Sequence, residues 1–190
     1  AHGVLASRKA VCGGFASMFV KMATHAGLKA EEVSGWSKGG SFTVGDTFEG
    51  KPTNHSWLIL ELEGEKYLAD PTWAAGVVNQ STEETYMRRW TDHYWLTDPI
   101  KFAYDHHPVE PSHQLLNPPI TLDEYHNGIH ARPALFRTGL DPISHTGAVI
   151  RCGPKCRVVF GATPHTMVSA DFCDTSGSPV IDHELALVQY

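Results

Sequence analysis

Much that would assign a function quickly is scarce or missing here. Only four of the 190 residues are cysteine, Cys12, Cys152, Cys156 and Cys173. That is too few for a disulfide framework. Cys152 and Cys156 make a C-x3-C pair, but no second Cys or His pair follows at zinc-finger spacing, so they read as core or turn cysteines. Positive charge is in deficit, with a formal net charge of −6, which argues against nucleic acid or an anionic membrane surface as partner. No apolar run is long enough to cross a bilayer. No charged segment followed by an apolar stretch opens the chain, so no signal peptide is visible. The sequence starts at Ala1 without methionine and stops inside a predicted strand, Leu185 to Tyr190, and so reads as a fragment whose missing front could have carried a targeting signal.

What remains is ordinary for a globular chain: 42% hydrophobic and 19% charged residues are enough apolar surface to bury and too little charge for disorder. One amphipathic helix is expected over residues 12–26, with Phe15, Phe19, Met22 and Ala26 at three-to-four spacing, Met18 beside them, and Gly27 as the terminator. Val33 to Trp36 is a short strand candidate. Residues 37–54 hold four glycines and a proline and read as a long loop of the kind that often carries function. His55 to Leu62 is a strong strand, and Lys66 to Asp70 returns beside it as a hairpin that Pro71 ends. Residues 86–97 give another strand candidate. Asp98-Pro99 opens a short helix to about Tyr104, and Thr121 and Glu124 are spaced as a capping box.

The organisation expected is α+β. A core over 1–100 carries a helix packed on an antiparallel hairpin. A proline-rich connector with short helices runs over 101–140. A small, incomplete β-sandwich module follows over 141–190, with strands at Cys156 to Ala162, Thr166 to Phe172 and Glu184 to Gln189.

The chemistry gathers in the first 76 residues. Cys12 opens the predicted helix, where unsatisfied backbone N–H groups and the positive dipole end favour thiolate. Gly13 and Gly14 are poor helix formers and would let a substrate backbone approach local N–H donors of an oxyanion hole. The bland alternative is a buried cysteine at a glycine-rich helix start. A thiol nucleophile needs an imidazole, and His55 stands at the mouth of a strand. The same hairpin returns to Asp70, a carboxylate able to hold the far nitrogen of that ring. Register matters. With Gly64-Glu65 as the turn, Asp70 falls opposite Ile59, about 13 Å along the strand from His55 and out of reach. A slide of two residues keeps every face and puts Asp70 opposite Trp57, diagonal to His55 at about 7–8 Å between backbones. The second register, or a bulge, is the one expected. Trp36, Trp57 and Trp73 are candidates for a substrate groove, though packing the core is their plainer role. His106, His107 and His113 read as solvated loop residues without ligand-spaced partners, not a metal site. Asp92, His93 and Asp105 read as surface residues.

Val11-Cys12-Gly13-Gly14-Phe15-Ala16, Asn54-His55-Ser56-Trp57 and Asp70-Pro71-Thr72-Trp73-Ala74-Ala75-Gly76 together resemble the transglutaminase-like superfamily, nearest its kyphoscoliosis peptidase and hillarin-like group. Gly35-Trp36-Ser37-Lys38-Gly39, Leu96-Thr97-Asp98-Pro99, Gln114-Leu115-Leu116 and Pro119-Ile120-Thr121-Leu122 extend the resemblance to about residue 140. It implies a papain-like core with immunoglobulin-like β structure after it. It implies a cysteine peptidase acting on protein amide bonds through Cys12, His55 and Asp70, with neither cofactor nor metal, in a cytoplasmic, cytoskeleton-associated setting. The implied partner is a protein substrate or a cytoskeletal protein. Gly13 where crosslinking members tend to have Trp, and Leu58 where many have Asn, are departures. The alternatives are an inactive cytoskeletal scaffold, a protein-crosslinking acyltransferase and, ranked behind them, a de-N-glycosylating amidase.

Overall fold

Two helices open the chain, α1 (His2–Ser7) and α2 (Cys12–His25), in a computed structural model that describes residues 2–79, 85–151 and 156–163. Gly27 follows α2 with a φ of 80°, a left-handed turn that glycine adopts without strain. The buried face of α2 differs from the expected stripe. Ala16 and Ala23 are buried, with Phe19 and Val20 packed partly beneath, whereas Met22 is 60% exposed. These four residues still keep i, i+3, i+4, i+7 spacing. Small alanines win the contact positions because they let the helix lie close to the sheet.

The sheet has four antiparallel strands in the order β3-β2-β1-β6. They are β1 (Lys29–Ser37), β2 (His55–Leu62), β3 (Glu65–Ala69) and β6 (His106–Pro108). Between β3 and β6 the chain makes α3 (Pro71–Ala75), the hairpin β4 (Gly76–Asn79) and β5 (Thr85–Arg88), and α4 (Pro99–Phe102). The Asp98 side chain caps α4 by accepting from the Ile100 and Lys101 N–H groups. After β6 come α5 (Leu122–Asn127), α6 (Pro133–Arg137) and a two-residue pairing of β7 (Asp141–Pro142) with β8 (Phe160–Gly161). Thr121 and Glu124 form the reciprocal capping box of α5.

Period-two alternation divides the sheet cleanly. One face presents Leu58, Leu60 and Ala69 to α2. The other presents Val33, Trp57, Ile59 and Leu68 to Ala74, Tyr94 and Phe102. Leu58 pairs with Ala69 and Leu62 with Glu65, so Glu63 and Gly64 form the turn. Both have positive φ, 53° and 89°, as a tight hairpin turn of matching twist requires. Continued by one residue, that register sets Asp70 opposite Trp57, the second of the two alternatives.

Residues 105–120 hold regular structure where little was expected. His106–Pro108 adds an edge strand to the sheet, pairing with Gly35, Trp36 and Ser37. Gly35 makes this possible: a Cβ there would collide with the His107 carbonyl oxygen, the Pro108 backbone and the Trp57 ring. Of the three strands expected after residue 145, Thr166 to Phe172 and Glu184 to Gln189 lie outside the described residues, as do Cys152 and Cys173.

Candidate active site

Asp70 is where the hairpin becomes a helix. It caps α3, and its Oδ1 accepts the Thr72 and Trp73 N–H groups at 2.8 and 3.1 Å. Those two bonds fix the carboxylate and aim Oδ2 along the sheet. The His55 Nε2–H donates to Oδ2 at 2.7 Å. An ionised carboxylate only accepts, so Nε2 carries the proton and Nδ1 is the nitrogen left for a thiol. His55 is 8% exposed and Asp70 fully buried. Trp73 stacks on the imidazole at 4.8 Å and 28°, holding its plane.

Cys12 is half-buried at the tip of α2. Val11, the cap residue, has no polar side chain to cover the helix end. Gly14 and Phe15 bond back to the Val11 carbonyl; the N–H groups of Cys12 and Gly13 precede them at the positive end of the dipole. Cys12, Phe15, His55, Thr72, Trp73 and Lys38 all line one open cavity of about 930 Å³. Val77, Val78, Tyr86 and Met87, exposed on the β4–β5 hairpin, form its apolar wall. Cys12 and His55 therefore face one cavity from different sides of the sheet: the helix lies on one face and the His–Asp pair on the other.

Among the aromatic groove candidates, Trp73 lines this cavity. Trp57 has no exposed surface and lies in the core beneath the site. Trp36 packs against His107, and its Nε1–H donates to the Lys51 carbonyl. The Cα of Gly13 faces the sheet, where a Cβ would come 3.7 Å from Glu32 and 4.0 Å from Ser56.

Behind Asp70 lies a set of residues that the sequence reading put in solvent. His106 is 2% exposed and Asp105 3%. His106 Nε2 donates to the same Asp70 Oδ2 at 3.2 Å, its Nδ1 donates to Asp105 Oδ1 at 2.6 Å, and the Tyr94 hydroxyl donates to Asp105 Oδ2 at 2.7 Å. His107 is buried too, against the Ile120 carbonyl and Gln114. Burial alone would raise the Asp70 carboxyl, but the hydrogen bonds from His106 and His55 outweigh it and hold it well below the usual carboxylate range. Burial alone would lower His106; the charge and hydrogen bond of Asp105, then those of Asp70, carry it up to about 9. The Lys38 amine, lowered to about 8 by burial against the pull of Asp105, donates to the Gly128 carbonyl at 2.8 Å and ties that segment to the cavity wall.

His55, Asp70 and His106 are also a set among the described residues whose ligand atoms lie close enough for a metal ion, within 4.8 Å of one another. The two imidazoles converge on one carboxylate oxygen, Asp70 Oδ2, at 2.7 and 3.2 Å, so the three groups can also satisfy one another by hydrogen bonds.

No family model matches the chain. It is 33% identical over 138 residues to the kyphoscoliosis peptidase of Mus musculus, covering 72% of this chain and 20% of that protein. It is 30% identical over 132 residues to hillarin of Drosophila melanogaster, covering 65% and 16%. A LIM and transglutaminase domain protein of Caenorhabditis elegans is 24% identical over 136 residues, covering 67% and 19%. The chain thus spans no more than about a fifth of the length of the curated relatives it matches.

Proposed function

This chain belongs to the kyphoscoliosis-peptidase-like group of the transglutaminase-like superfamily, and from that membership we propose that it is a cysteine peptidase acting on protein amide bonds. The helix-on-sheet arrangement is read as a papain-like core. The setting expected is cytoskeleton-associated, with a protein substrate or a cytoskeletal protein as partner.

Cys12 is the proposed nucleophile. Its thiolate adds to the amide carbonyl, forming a C–S bond, while the N–H groups of Cys12 and Gly13 stabilise the oxyanion. As the tetrahedral intermediate collapses, the C–N bond breaks and Nδ1–H of His55 protonates the departing amine. Water, deprotonated by the same nitrogen, then hydrolyses the thioester, releasing the acid and the thiol. Asp70 keeps the ring in the tautomer that presents Nδ1. The observation that carries this reading is the 2.7 Å bond between His55 Nε2 and Asp70 Oδ2, made on the wall of the cavity that Cys12 also lines.

The test is the rate of Cys12 alkylation by iodoacetamide against pH, in the intact chain and in His55→Ala, beside release of amine from peptide amides. A thiolate–imidazolium pair reacts well below the ordinary thiol pKa of about 8.5. The expected result is a low-pH shoulder that His55→Ala abolishes, with amide cleavage lost in Cys12→Ala. Ordinary thiol behaviour, indifferent to His55, would overturn the reading and favour a non-enzymatic scaffold.

A further inference from the structure

The ring of His106 sits where a histidine without a task would be costly. It is fully buried, yet both nitrogens point at acceptor-only carboxylates, so both carry protons and the ring is a cation. Four aromatic side chains enclose it. Phe102 stacks at 4.0 Å and 20°, Trp73 lies at 4.6 Å, Trp57 at 5.0 Å edge-on and Tyr94 at 5.9 Å. An aromatic box within about 6 Å is a cation site in its own right. Asp105, anchored by Tyr94, balances the charge from behind. Along one line His55 hydrogen-bonds to Asp70, Asp70 to His106, His106 to Asp105, and the line ends on the Tyr94 hydroxyl. The other titratable groups whose charge couples to Asp105 are Lys38, His93, Tyr125 and His130.

We propose that His106 is a positioning residue for the candidate triad, an imidazolium whose Nε2–H, backed by Asp105 and Tyr94, locks the Asp70 carboxylate in the orientation that holds His55. This rests on the peptidase reading and deepens it: two hydrogen-bond donors on Oδ2 and two on Oδ1 leave Asp70 no freedom to rotate. Trp73 serves both rings, stacking on His55 and closing the box around His106. His106 touches no substrate and acts only through Asp70.

Two substitutions in the 190-residue chain separate positioning from packing. His106→Phe keeps a ring against Phe102 but removes both donors. His106→Gln keeps one N–H for Asp70 but removes the charge. In His106→Phe the iodoacetamide rate at pH 6.5 should fall about tenfold, equivalent to one pKa unit of lost ion pairing, while the rate at pH 9.5, where any thiol is ionised, stays within about twofold of wild type. In His106→Gln the alkaline end of the low-pH shoulder should move up by about one pH unit, because Asp70 then faces His55 without an opposing cation. Ring nitrogen NMR of Cys12→Ala should show His106 carrying both protons at pH 7.5. A singly protonated His106, or a shoulder that neither variant alters, overturns this inference alone. A wild type without any shoulder overturns the peptidase reading and this inference with it. If His106→Phe does not fold, the shift in His106→Gln decides.

Discussion

The two faces of one sheet are built to opposite plans. Under α2 the strands present Leu58, Leu60 and Ala69 as an apolar cluster, and Glu32 and Ser56 come near the helix at Gly13. One residue along in each strand, the other face presents Trp57, Ile59 and Leu68, and then a chain of buried ionisable groups, His55, Asp70, His106 and Asp105. The first face stabilises by area and shape, so losses there are graded by the volume removed. The second satisfies charges against each other in a dry, aromatic setting, so removing one member strands the rest. Same backbone, same strands, alternate side chains: one face carries the helix that bears Cys12, and the other carries His55 and Asp70.

That contrast breaks first at Asp70. Asp70→Ala leaves the His106 imidazolium with one counter-ion, frees His55 and uncaps α3. A broken buried ion pair costs about 3–5 kcal/mol, and the cap adds about 1 kcal/mol. Urea unfolding should show this loss, and the low-pH alkylation of Cys12 should vanish even in the fraction that stays folded. Leu58→Ala on the opposite face is the control. It should cost about 2–5 kcal/mol as a cavity mutant but leave the alkylation profile of the folded protein unchanged. If Leu58→Ala also erases the low-pH shoulder, the two faces are not separable and the division drawn above is wrong.

A smaller loss is expected at Gly35. A methyl there must push against the His107 carbonyl and the Trp57 ring, moving β6 away from β1. Overpacking of this kind costs about 1–3 kcal/mol. Because β6 carries His106, Gly35→Ala should also lower Cys12 reactivity near pH 6.5, a coupling that Leu58→Ala lacks. This glycine also explains what was legible beforehand. The helix at Cys12, the His55 strand, the turn and the diagonal placement of Asp70 were readable, because period-two alternation, turn chemistry and reach within one hairpin are local rules. The capping box at Thr121 and Glu124 was readable for the same reason. His106 and Asp105 were not. They lie among prolines, and their burial depends on a strand pairing with β1 that only the missing side chain of Gly35 permits, a relation across about seventy residues with no periodic trace. The stripe on α2 was misjudged because apolar size suggested Phe15 and Met22, whereas closeness to the sheet selected Ala16 and Ala23.

The subtlest difference between the faces is in pH dependence. His106 is raised from an ordinary 6.5 to about 9 in the folded protein, with burial opposing and Asp105 and Asp70 prevailing. A group whose folded pKa is raised stabilises the native state fully below its unfolded pKa and loses that contribution as pH climbs through the folded one. Wild type should therefore exceed His106→Gln in unfolding free energy by a constant margin up to about pH 6.5, and the margin should close as pH approaches 9. Asp70 works in the other direction: its lowered pKa contributes above the ordinary carboxylate range and is lost in acid. His93, His107 and His130, lowered chiefly by burial, weaken the fold as they protonate below their ordinary 6.5. His107 and His130 are present in both proteins and cancel in the difference, whereas His93, which the His106 charge also lowers, adds its own contribution below 6.5. Leu58→Ala, measured the same way, should show a margin that pH does not change. A wild-type margin over His106→Gln equally flat from pH 6 to 9.5 would mean that His106 is neutral in the fold, and that the aromatic face, like its opposite, is held by packing alone.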